Sequence, residues 1–197
     1  MRVGITLLLL LGLGACAQPV VPNLRGTITR AQLDTVATPL LLAEITGRAA
    51  QATLVPWGEN GGVVTWRTAD NVSLSFADGV AVATRGLGDD LMSADVTGTV
   101  QAIAAGAGAE YPRHHSYMDG ENQIAFRSFN CQMGASQPEQ LNSFGTPRRV
   151  SRLYETCHSL EETIENTYWV GSDGTMWRSR QWLGATLGYM TTERLVP

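Results

Sequence analysis

Asn71-Val72-Ser73-Leu74-Ser75-Phe76, then Asp78-Gly79, then Val80-Ala81-Val82-Ala83-Thr84, is the stretch on which the fold turns. Its first six residues alternate polar and apolar, which sets Val72, Leu74 and Phe76 on one face of a half-buried strand. Asp78-Gly79 signals a two-residue hairpin, because a turn matched to strand twist needs positive φ at both positions. The run from Val80 returns antiparallel. Working upstream, residues 63–68 put Val64 and Trp66 on one face, Asn60-Gly61-Gly62 makes a turn, and residues 52–57 and 40–45 read as two more strands. Residues 40–84 therefore form a β-meander.

Downstream, Arg85-Gly86-Leu87-Gly88-Asp89-Asp90 is a Gly-rich acidic loop, and residues 102–109 are small and uninformative. Strands resume at 112–117, turn at Asp119-Gly120 and return over 123–132. Residues 134–146 are predicted to be a long loop. Four further strands follow at 148–157, 163–170, 175–183 and 187–195, joined at Gly171-Ser172-Asp173-Gly174 and at Gly184. About ten short strands with turn residues between them imply a mainly β fold, an antiparallel β-barrel-like or sandwich meander. Thr29-Arg30-Ala31-Gln32 fits a capping box, so one short N-terminal helix of about two turns is expected, running to near Val36 before Pro39.

Met1-Arg2, an apolar run centred on Leu7 to Leu11, and Leu13-Gly14-Ala15-Cys16 have the layout of a bacterial lipoprotein signal. The apolar run is shorter than the about 20 residues that span a bilayer. Small residues admit the peptidase, and the thiol of Cys16 takes the lipid as a thioether. An ordinary signal peptide that happens to hold a cysteine is the alternative. Residues 1–15 are thus expected to be the signal, 16–28 an extended tether with Pro19 and Pro22, and 29–197 a single β-rich domain. Ala17, where an Asp would retain an enteric-type lipoprotein at the inner membrane, favours the outer membrane.

Without Arg2 the mature chain has 13 basic and 18 acidic residues, net −5, and every basic residue is Arg. No basic block suits nucleic acid or an anionic membrane, so a lipid on Cys16 must do the anchoring. In an exported protein the two other cysteines, Cys131 and Cys157, ordinarily pair. A Cys157-His158 nucleophile and base is the competing reading, although strand neighbours point to opposite faces.

The densest chemistry lies at the Asp173-Gly174 hairpin. With those residues as the turn, Trp169 lies opposite Arg178, Thr167 opposite Arg180 and Glu165 opposite Trp182. Glu165, Trp169, Arg178, Arg180 and Trp182 then share one face. Flat aromatics beside planar charged groups suit pyranose rings. The same residues equally make a self-satisfied ladder of cation–π contacts and a diagonal Glu165–Arg180 pair. Asp89, Asp90 and Asp95 offer cation oxygens, but they match no EF-hand, and a solvated turn with a helix cap explains them. His114-His115 diverge on a strand. No catalytic constellation, metal spacing or cofactor fingerprint stands out.

The chain resembles the YjbF/GfcB family of group 4 capsule and exopolysaccharide lipoproteins. The resemblance rests on Gly79 to Ala94, on Glu165-Asn166-Thr167-Tyr168-Trp169-Val170, and on Trp177-Arg178-Ser179-Arg180-Gln181-Trp182-Leu183-Gly184. The Cys131/Cys157 pair is similar to that of many alphaproteobacterial members, while some enteric members lack it. The resemblance implies a role in making or exporting a surface polysaccharide. It also implies partners: an outer-membrane β-barrel and periplasmic products of the same operon, and polysaccharide itself. It supplies no enzymatic activity. The expectation is therefore a non-enzymatic accessory lipoprotein facing the periplasm, with a periplasmic glycan-modifying enzyme as the alternative.

Overall fold

The alternating runs of the sequence become strands. The computed structural model describes residues 23–118 and 123–197. Two short helices, α1 (Leu24–Thr27) and α2 (Arg30–Leu33), precede β1 (Leu40–Ile45), β2 (Ala50–Asn60), β3 (Val63–Arg67), β4 (Ser73–Ala77) and β5 (Val80–Arg85). Next come β6 (Leu91–Asp95), α3 (Thr97–Ala105), β7 (Tyr111–Met118), β8 (Ile124–Met133) and β9 (Gln137–Ser143). The chain closes with β10 (Thr146–His158), β11 (Thr163–Val170), β12 (Met176–Gly184) and β13 (Gly188–Val196). Asp78 and Gly79 take φ of 46° and 83°, as the tight hairpin requires.

All thirteen strands join one antiparallel sheet, in the order β5-β4-β3-β2-β1-β13-β12-β11-β10-β8-β7-β6, with β9 added beside β10. The sheet curls until its two ends nearly meet. Across that seam Arg85 donates to the carbonyls of Leu91 (3.1 Å) and Met92 (3.2 Å), and the Leu91 N–H donates to Thr84 Oγ1 (3.0 Å). The result is a nearly closed, barrel-like, mainly β fold, as the periodicity implied.

Inside, β5 lies between two apolar clusters. Ala81 belongs to one, with Leu54, Trp66, Leu74, Phe76 and Met190. Val80 belongs to the other, with Val96, Leu153, Tyr168 and Val170. As an edge strand β5 has bare backbone groups. Gln181 on β12 covers them: its Oε1 accepts from the Ala81 N–H (2.9 Å), and its Nε2 donates to the Gly79 carbonyl (2.9 Å). One side-chain amide thus substitutes for a neighbouring strand.

Three segments differ from the expectation. Residues 23–28 are not wholly extended: the Asn23 side chain accepts from the Gly26 N–H (3.0 Å), and α1 forms against the barrel. Its Leu24 N–H donates to Gln51 Oε1 (2.7 Å), while Arg25 pairs with Glu44 and with Glu193 (2.6 Å). Residues 97–105, which carry little hydrophobic pattern, form α3. The Asp95 carboxylate accepts from the Thr97 N–H (3.1 Å), and Gly106 ends the helix at φ 78°. Residues 137–143 are not loop but β9, an edge strand that buries only Leu141 and Ser143, too few apolar positions to register as a strand. The capping box at Thr29 is present as read, and turns carry the chain from Leu33 to Val36.

Cys131 and Cys157 sit opposite each other on β8 and β10 and form a disulfide. It is buried among Phe129 and Ile164. The bond closes a loop of 26 residues, so the Cys131→Ala/Cys157→Ala chain should be less stable by about 3 kcal/mol, on the chain-entropy model. A urea titration of both proteins measures this, and two titratable thiols in the denatured, unreduced wild type would remove the bond altogether. Cys16, the predicted signal and the Asp119-Gly120 turn lie outside the described residues.

Candidate functional site

The face expected on β11 and β12 is assembled as its register implied, with Thr167 opposite Arg180 and Trp169 opposite Arg178. Its side chains, however, serve neighbours. Arg178 donates twice to Glu193 Oε2 (3.0 and 2.7 Å), with its guanidinium 5.8 Å from the Trp169 ring. The Trp169 indole donates to Glu139 (3.1 Å). Arg180 stacks on Tyr189 at 3.4 Å, and Trp182 meets the same ring edge-on at 5.1 Å. The diagonal pair differs from the expectation: Arg180 reaches the Glu165 carbonyl (3.4 Å), not its carboxylate, because the Tyr189 ring holds the guanidinium. Arg178, Arg180, Trp169 and Trp182 are thus engaged by neighbouring side chains, as in the ladder reading, but without its Glu165–Arg180 ion pair.

The other sequence candidates are dispersed. Asp90 staples its own loop, accepting from Thr84 Oγ1 (2.7 Å) and from the N–H groups of Gly86 (2.9 Å) and Leu87 (3.1 Å). Asp95 caps α3, and the Thr97 amide holds its carboxyl below the usual range. Asp89 lines a separate cleft with Glu161 and Glu162. His114 points outward to Ser128 while His115 is buried, so the two imidazoles diverge. His158 bonds Thr163 on the outside, away from Cys157.

The most concentrated chemistry is one that sequence reasoning missed. Arg113 on β7 and Glu155 on β10 meet inside the barrel at 2.8 Å, both with fully buried side chains. Glu155 Oε1 accepts from Thr99 (2.6 Å) and Tyr111 (2.9 Å). Its Oε2 also accepts from Asn166 (2.7 Å) and Tyr168 (2.8 Å). Burial pushes the Glu155 pKa up, but the Arg113 charge and these donors outweigh it and hold the carboxyl below its ordinary value. A carboxylate has about four acceptor sites, so five donors leave none for a substrate.

Arg113 Nε donates to His115 Nε2 (2.9 Å). A guanidinium can only donate, so the ring is neutral, and its Nδ1–H faces the Tyr117 hydroxyl (2.8 Å). Burial first, and the adjacent Arg113 charge second, push the His115 pKa down to about 3. Burial raises the phenol pKa of Tyr117, and burial together with the Glu155 charge raises that of Tyr168. Cys131, Cys157 and Glu155 lie close enough to suggest a metal group, but the S–S bond uses both sulfurs. No thiolate is left to ligate.

The geometry defines a class: a barrel-like β protein whose interior charges lock strands together and whose open surface lies at the two ends. Residues 17–195 match the family described as group 4 capsule polysaccharide lipoprotein, GfcB or YjbF, and the chain belongs to that family. The fold is similar to that of the hypothetical lipoprotein YmcC from Escherichia coli K12, at TM-score 0.74 and 20% identity, covering 92% of this chain and 97% of that one. A protein described as exported and YmcC-like, from Bacteroides fragilis, aligns at TM-score 0.33 and 10% identity over 80% of this chain and 93% of its own. No curated protein matches the chain.

Proposed function

We propose that this protein is an outer-membrane lipoprotein, anchored through Cys16 and facing the periplasm, that assists capsule or exopolysaccharide production or export by binding rather than by catalysis. The match to a capsule polysaccharide lipoprotein family over residues 17–195 carries this reading. Its partners are an outer-membrane β-barrel and periplasmic proteins of the same polysaccharide system. Glycosidases, the alternative, use two carboxyls flanking one bond. Asp90 is engaged by its own loop, and the carboxylate held deep inside, Glu155, is saturated, which weighs against that chemistry.

The position of the first described residues supports anchoring at one end of the barrel. Leu24 bonds Gln51, beside the β1–β2 connection. The β7–β8, β10–β11 and β12–β13 connections fall at that same end of the antiparallel sheet. Asn23 lies seven positions after Cys16, a reach of at most about 25 Å. Apolar side chains stand exposed there: Ile124 (60%), Phe126 (72%) and Leu160 (106%), which suits a surface resting close to lipid.

A strain lacking the protein should lose surface polysaccharide. Wild type should restore it, and Cys16→Ala exported behind an ordinary signal peptide should not. Full rescue by the unlipidated chain would sink the claim that the lipid matters. Shortening of purified polysaccharide by the mature protein would establish the enzyme instead.

A further inference from the structure

The opposite end of the barrel, where the Gly61-Gly62, Asp78-Gly79 and Asp173-Gly174 turns lie, opens into a cleft of about 400 Å³. Leu41, Val64, Trp66 and Phe76 contribute an apolar floor, yet most of the exposed lining is polar. Arg194, one residue pair from the end of the β1–β13 ladder, stands opposite Leu41 and shares its inward face. Its guanidinium lies 5.4 Å from the Trp66 ring centroid.

Arg194 lacks the carboxylate that other buried or half-buried arginines hold, a condition it shares with Arg148, which stacks on Trp177 with a buried Nε that has no partner. Arg25 and Arg178 share Glu193, and Arg113 has Glu155. Arg194 forms no salt bridge among the described residues, and its Nε is buried without a hydrogen-bond partner. Burial accordingly lowers its pKa, with Asp173 the acid that acts against this. The Asp173 carboxylate is itself engaged by the N–H (3.0 Å) and hydroxyl (2.9 Å) of Thr175. A half-desolvated guanidinium without an anion is unfavourable for the free protein, and a planar fork of donors matches a carboxylate.

We propose that this barrel mouth is a binding subsite for a carboxylate-bearing sugar unit of an acidic polysaccharide. Arg194 takes the carboxylate, Asp173 and Thr175 on the rim take ring hydroxyls, and the Val64 and Trp66 floor faces the apolar side of the ring. The size of the cleft is in the range of small-ligand sites, and its polar lining suits a sugar better than an acyl chain. The proposal rests on the polysaccharide role stated above and adds the substrate class and its contact residues. It also places the subsite at the end of the barrel remote from the anchor.

The test is calorimetric titration of the purified mature protein with digalacturonate, with neutral cellobiose, and with acetate. Saturable binding of digalacturonate is expected, at least about tenfold tighter than cellobiose or acetate. Arg194→Gln should weaken it about tenfold or more, with Arg194→Lys intermediate. Thermal melting of Arg194→Gln should be unchanged or raised, because a structural arginine would instead lower it. Should that variant fail to fold, Thr175→Val, which removes a rim hydroxyl, must weaken binding on its own. Absence of digalacturonate binding at millimolar concentration, equal binding of cellobiose or acetate, or binding indifferent to both substitutions would overturn the subsite. None of these measurements depends on the lipid, so failure here leaves the Cys16 complementation result standing, and the reverse holds too.

Discussion

Glu155→Ala should destabilise the protein by about 3–5 kcal/mol, the cost of stranding one partner of a buried ion pair. The substitution leaves Arg113 charged at zero exposure, with its Nη1 donating only to Tyr168. It also strands the buried Thr99 hydroxyl and the Asn166 amide, and frees the Tyr111 and Tyr168 phenols. Each such group is costly when left unpaired. A urea titration should show a lower midpoint with little change in slope. Arg113→Met/Glu155→Leu should lose less than the sum of the two single changes, because removing both charges leaves no isolated ion. It should not return to wild type, since the hydroxyl and amide donors remain without their acceptor. A loss below about 1 kcal/mol for Glu155→Ala would mean the pair is hydrated in solution, and the interior would then be open to ligands.

The consequence for function is that the interior charge works as a clamp. The ion pair joins β7 to β10, Thr99 ties α3 to it, and Asn166 and Tyr168 bring in β11. Asn166 also accepts from the Trp182 N–H (2.8 Å), extending the tie to β12. One side of the barrel is therefore fastened by polar contacts and the disulfide, the other by the apolar cluster around Trp66 and Met190.

The legible parts of the fold were those whose evidence is local. The 71–84 hairpin announces itself by alternation and an Asp-Gly turn, and the register at Trp169 and Arg178 follows from counting back from Asp173-Gly174. α3 was hidden because six of its nine residues are Ala, Gly or Thr, and β9 because Leu141 is its one buried apolar residue. The Arg113–Glu155 pair was hidden because its members are 42 residues apart. A signal did exist: Leu153, Glu155 and Cys157 share one parity on β10, and Arg113, His115 and Tyr117 share one on β7. A charged residue on the buried parity of a strand asks for a partner. The five-residue face was legible as a neighbourhood but not in its role. Only the structure gives Glu193, Glu139 and Tyr189 as the groups that use it.

Acidification from pH 7 to 5 should destabilise the protein by about 2 kcal/mol through His115, with a slope that approaches about 1.4 kcal/mol per pH unit once the pH lies below 6.5. In the folded protein this imidazole has a pKa of about 3, against 6.5 in the ordinary state. The sign follows from which state binds the proton. Below pH 6.5 the unfolded chain takes it up, while the folded ring stays neutral. It stays neutral because burial disfavours the charge and because Arg113 donates into Nε2, so that a second positive charge would sit 2.9 Å away. Stability is thus complete above pH 6.5, falls as pH drops toward 3, and is flat below that for this group. Over the whole window the loss approaches about 5 kcal/mol. Glu155, with its lowered pKa, adds a loss of the same sign, but only as pH falls below its ordinary value of 4.5, so the interval from 7 to 5 isolates the histidine. His115→Gln tests this directly. Gln Oε1 accepts from Arg113 and does not titrate, so the slope of unfolding free energy against pH should flatten between 7 and 5. An unchanged slope in the Gln variant would show that His115 is protonated in the folded protein, and that Arg113 must then point elsewhere.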